Sequence, residues 1–98
     1  MPQLSTAQSR AWAGALAAYQ ESLDIIRKLA TQDQGNAQAQ TDLASALYKI
    51  STMLDPPQAR AALTEALSIL DKLMQAQKLQ AAQNNWPNIF RTALSKLP

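Results

Sequence analysis

The chain has 98 residues, nine of them basic and seven acidic, for a formal charge of +2, and 47% of its residues are hydrophobic. That length suits one domain with a modest core. With neither cysteine nor histidine in the sequence, disulfides, thiolate chemistry, the usual general base and the commonest metal ligand are excluded, so no metal and no cofactor is expected.

Much of the apolar content is alanine, and the two glycines, Gly14 and Gly35, both fall in the first half. Both features favour helix, because alanine has the best helix propensity and glycine one of the poorest. Ser5 followed by Gln8 fits a capping box at a helix start. From there Trp12, Leu16, Tyr19, Leu23 and Ile26 recur at helical spacing, which draws one apolar stripe along a helix over about 6–30. Gly35 breaks it, and Asn36 is the next N-cap. A second helix over about 37–53 carries Leu43, Leu47 and Ile50, with Leu54 beyond. "DPPQ" then punctuates the chain: Asp55 caps, Pro56 takes the first helical position, and Gln58 completes a box. The third helix, about 56–78, lines up Leu63, Leu67, Leu70 and Met74. Trp86, Phe90, Ala93 and Leu97 step in the same way, so a fourth helix is expected over about 82–97. Pro87 sets two options for its start, near Asn85 with the proline in the first turn, or near Gln80 with a kink.

No stripe is wide enough for an isolated helix, and short connections make successive helices antiparallel. The expected fold is all-α, two stacked antiparallel helical hairpins. No run reaches the 18 or more apolar residues of a membrane span. Met1–Arg10 has neither the basic start nor the apolar stretch of a signal peptide. A cytoplasmic chain without membrane partners is the expectation. The basic residues are scattered from Arg10 to Lys96, and without a basic face no nucleic-acid partner is expected.

Ala15–Leu29, "ALAAYQESLDIIRKL", is followed 44 residues later by Ala59–Leu73, "ARAALTEALSILDKL", with eight of fifteen paired positions identical. A fixed period of helix–turn–helix content marks a helical repeat. These stretches resemble the second helix of a tetratricopeptide repeat. Ala15, Tyr19, Ser22 and Leu23, then Ala59, Leu63, Ala66 and Leu67, stand at that motif's small, large, small and leucine places. Asp42–Ile50 resembles the first helix of the following repeat, with Leu43 and Ala44 as its large–small pair. The 44-residue period is longer than the usual 34 and is similar to long bacterial variants, while falling also in the HEAT and armadillo range. Gln40 stands where the motif has tryptophan.

The resemblance implies a short right-handed solenoid, or else an irregular four-helix bundle, and a non-catalytic protein–protein interaction module. In its terms the first helix is a second helix, so the chain reads as the C-terminal part of a longer repeat protein. A protein or peptide partner is expected on the side residues of helix two, Gln38, Thr41, Ser45, Tyr48 and Lys49. Thr41 and Ser45 stand where adaptors of acidic peptide tails in this family carry a clamp, so that activity does not transfer. The alternative function is self-assembly, a homodimer through Trp12 and Leu16 on helix one.

No catalytic residue is expected. Glu21 and Asp24 share a helix face, but Asp24 with Arg27 and Lys28 reads better as surface ion pairs. Trp12 and Trp86 fall on apolar stripes and read as packing residues rather than ligand platforms.

Overall fold

The computed structural model describes residues 6–98, and the side chains of residues 13–98. The expected Ser5–Gln8 capping box lies outside what is described. Among the described residues there are four α-helices and no strand: α1 Thr6–Gln32, α2 Ala37–Ser51, α3 Pro56–Gln75 and α4 Trp86–Ser95. The chain is all-α, as the periodicity predicts.

Local chemistry accounts for most boundaries. Asn36 caps α2 as expected, its side-chain oxygen accepting from the Ala39 N–H at 3.1 Å. Asp55 occupies the N-cap of α3, but its carboxylate accepts no hydrogen bond and the expected box with Gln58 does not form. Pro56 and Pro57 fill the first two helical positions, so one of the donors that an N-cap side chain normally engages is missing. The fourth helix starts at Trp86, with Pro87 in its first turn. Residues expected to belong to its start form a separate 3-10 turn, Ala81–Gln83.

The end of α3 falls three residues short of expectation because the chain turns left-handed at Gln77, φ 57°. Lys78 N–H donates to the Leu73 carbonyl at 2.8 Å and Gln77 N–H to that of Met74 at 3.0 Å. This double closure is the Schellman arrangement, in which glycine normally takes the left-handed position. A side chain there is strained. Gln77→Gly should therefore stabilise the chain by about 0.5–1 kcal/mol, read as a raised midpoint in urea.

Packing follows chain order, α1 on α2, α2 on α3, and α3 on α4. One cluster joins all four helices: Ala30 of α1, Leu43, Ala44, Leu47 and Ile50 of α2, Ala62, Ala66, Leu70 and Leu73 of α3, and Phe90 of α4. Two expected stripe residues are misplaced by the periodicity: Tyr19 and Met74 are exposed, whereas Leu67 is half-buried and packs against the core. In their place α3 buries a line of small residues, Ala59, Ala62 and Ala66, which lets α2 approach closely. Hydrophobic counting undervalues alanine, and the helix-crossing face shifts toward it.

Three rings bind α4 to α2. Tyr48 stacks on Phe90 with centroids 4.7 Å apart and planes 9° from parallel, and Phe90 stacks on Trp86 at 6.1 Å.

Candidate interaction surface

The residues expected to contact a partner divide into two groups. Gln38, Ser45 and Lys49 follow one another along one side of α2 by helical spacing. Gln38 and Lys49 are exposed and Ser45 is half-buried, and Gln38 donates to Asp42 at 2.8 Å. Thr41 is buried, its hydroxyl donating back to the Ala37 carbonyl at 2.7 Å. It has no surface to offer, which corrects the expectation for that residue. The cause is a helix crossing that turns one flank of α2 into the core.

Tyr48 is half-buried and committed to its stack on Phe90. With Asn88, Ile89 and Thr92 of α4, and Lys96 just past its end, it lines an open groove of about 440 Å³. Because its ring holds α4, a change at Tyr48 disturbs packing as well as any contact in that groove. Lys49→Glu is the cleaner probe of this side of α2.

A wider depression of about 1070 Å³ runs between α1 and α3. Arg27 and Glu65 bridge it as a bidentate pair, the second hydrogen bond being 3.2 Å from Nη2 to Oε1. Arg27, expected to pair with Asp24 within its own helix, instead reaches across to α3, because a fork-to-carboxylate pair is stronger than a staggered surface pair. That hydrogen bond to Glu65, opposed by partial burial, raises the Arg27 pKa above its ordinary value.

Gln40, which stands where the repeat motif has tryptophan, is half-buried and donates to the Ala30 carbonyl at 2.9 Å. Ala30 is in the last turn of α1, where carbonyls have no partner within the helix. Gln40→Ala should cost about 1 kcal/mol, whereas Gln38→Ala should stay within about 0.5 kcal/mol, both measured by denaturant melts.

The most open apolar surface lies on α1. The side chain of Trp12 is outside the described residues. Leu16 is half-buried against the core and so belongs to the contact with α2 rather than to a free patch. One face over, Tyr19, Ile25 and Leu29 are 45, 56 and 55% exposed. Spacing alone places these residues in a stripe or passes over them, because a helical wheel does not say which of two adjacent faces has a neighbour. The signal that finds them is the internal repeat read with burial. Ala59, Ala62, Leu63, Ala66 and Leu73 of α3 are all buried, and their counterparts Ala15, Ala18, Tyr19, Ser22 and Leu29 are all exposed.

The described residues contain no group of three or more acidic, cysteine or histidine side chains placed to hold a metal ion. No described helix is long and apolar enough to cross a membrane. The fold and this surface define the described residues as a small all-helical protein with an uncovered apolar face on α1. Comparison with known protein families, curated proteins and solved structures finds none that matches it.

Proposed function

We propose that the chain is a non-catalytic protein–protein interaction module, built as a short tetratricopeptide-like array in which α1 and α3 play the same part. The reading is carried by one observation: residues buried in α3 recur in α1 on an exposed face. An apolar face of this kind is unfavourable in water and marks a place where another protein binds.

Two counterparts on that face differ in a telling way. Leu63 is replaced by Tyr19 and Ala66 by Ser22. Each change adds a hydroxyl, which suits a surface that is wet when free and covered when bound.

A photo-reactive residue at position 25 should give discrete protein adducts in the cells that express the chain, and one at position 64, exposed on α3, should not. Equal labelling from both positions, or none from either, would refute the interaction reading. The polar side of α2, Gln38, Ser45 and Lys49, beside the groove at Tyr48, is a second candidate surface for an extended peptide. It is favoured if Lys49→Glu, and not Tyr19→Glu, removes the adducts. Self-assembly through α1 would appear as an adduct of twice the chain mass.

A further inference from the structure

We infer that the open face of α1 receives an amphipathic helix of a partner protein with the side-chain pattern of α2: leucine, a small residue beside it, leucine, then isoleucine, as at Leu43, Ala44, Leu47 and Ile50. The inference rests on the interaction reading above and names the chemistry of the occupant.

In α1, Leu16, Leu23, Ile26 and Ala30 pack toward the core, which reaches α1 through the helix that follows it, α2. In α3 two neighbours are present, α2 before it and α4 after it. Ala62, Ala66 and Leu73 share one cluster with Leu43, Ala44, Leu47 and Ile50. Four of the side chains they share that cluster with come from the preceding helix and only Phe90 from the following one, so α2 supplies most of what covers this face of α3. Its counterpart in α1 is Ala18, Ser22 and Leu29, with Ala15 and Tyr19 alongside, and among the described residues no helix covers it. The repeat supplies a filled copy of the empty surface, and the filled copy holds α2.

Shape selects against two arrangements of a second copy. The centre of the open face is small, Ala15, Ala18 and Ser22, and the cluster that holds the counterparts Ala62 and Ala66 is filled out by Leu43, Leu47 and Ile50 of α2. Two α1 faces brought together would set small against small and leave voids, which protein interfaces do not tolerate well. A head-to-tail contact would instead offer the outer side of α4, where Asn88, Thr92, Ser95 and Lys96 are exposed and Ile89 is the single large apolar side chain. That side lacks the leucine–leucine–isoleucine stripe.

The probe is a fluorescein-labelled peptide of residues 36–54, titrated into the full chain and followed by anisotropy. Saturable binding with Kd on the order of 10–100 μM is expected, since one helix must order itself on a small face. Tyr19→Glu in the chain should weaken it by about tenfold or more, Leu47→Glu in the peptide should do the same, and Ile89→Glu in the chain should change nothing. Binding that never saturates overturns the inference, as does binding indifferent to Tyr19→Glu. A doubled mass in sedimentation that Tyr19→Glu removes and the peptide does not overturns it in favour of a second copy. Adducts from position 25 without peptide binding would leave the interaction reading standing and refute the α2-like occupant. Absence of both signals would refute both.

Discussion

Ala66→Glu should unfold the chain, while Ser22→Glu, the same change at the same place in the repeat, should leave it folded. Ala66 is fully buried in α3 and Ser22 is exposed on α1. A carboxylate at position 66 has no partner in the cluster and must either lose its charge or open the helix pair, at about 4 kcal/mol or more. A domain of this size has only about 5–15 kcal/mol in hand. At position 22 the carboxylate stays in water, and the change should remain within about 0.5 kcal/mol. Circular dichroism during urea titration of the two variants checks the contrast. If both unfold, something covers α1 and its face is part of the core. If neither does, the packing of α2 on α3 is wrong.

Phe90→Ala should be the most damaging apolar truncation on α4. Phe90 is buried between Tyr48 and Trp86, and removing a core phenylalanine costs about 3–5 kcal/mol. Its stacking on each neighbouring ring is worth a further ~0.5–1.5 kcal/mol. In a Trp12→Phe background, where Trp86 is the one tryptophan left, the tryptophan emission should move to the red as α4 leaves α3. A variant with unchanged emission and stability would show that the three-ring stack does not hold the helix.

Much of this architecture is legible in the sequence, for physical reasons that differ from helix to helix. Gly35 and Asn36 mark the break between α1 and α2 because one weakens helix and the other caps it. Pro56 marks the start of α3 because its missing donor is harmless only there. The end of α3 is hidden, since Gln77 adopts a left-handed backbone that glycine would have announced. The start of α4 is half-visible: Pro87 allows two solutions, and the chain places a separate turn before Trp86.

The candidate surface is less legible. Periodicity identifies the apolar side of a helix but assigns it one neighbour, and α1 and α3 each have room for two. Tyr19 therefore reads as core from spacing alone and is exposed in the fold. Thr41 reads as outward and is buried, its hydroxyl turned back onto the Ala37 carbonyl of its own helix. The hydrogen bond of Gln40 to Ala30 is a tertiary contact across ten residues, which helical spacing does not reveal. The repeat is the exception, a sequence feature that becomes informative about function only when burial separates its two copies.

The chain has no cysteine of its own, so single thiols report on the two faces without interference. Leu29→Cys and Leu73→Cys occupy equivalent positions of the repeat, one exposed and one buried. The thiol at position 29 should react with a chromogenic disulfide as fast as a free thiol. The thiol at position 73 should react only through opening of the fold, slower by about a hundredfold or more. Adding the peptide of residues 36–54 should then protect position 29 and leave position 73 unchanged. Slow reaction at position 29 in the chain alone, or fast reaction that the peptide does not alter, would contradict the account of α1 as an open seat for an α2-like helix.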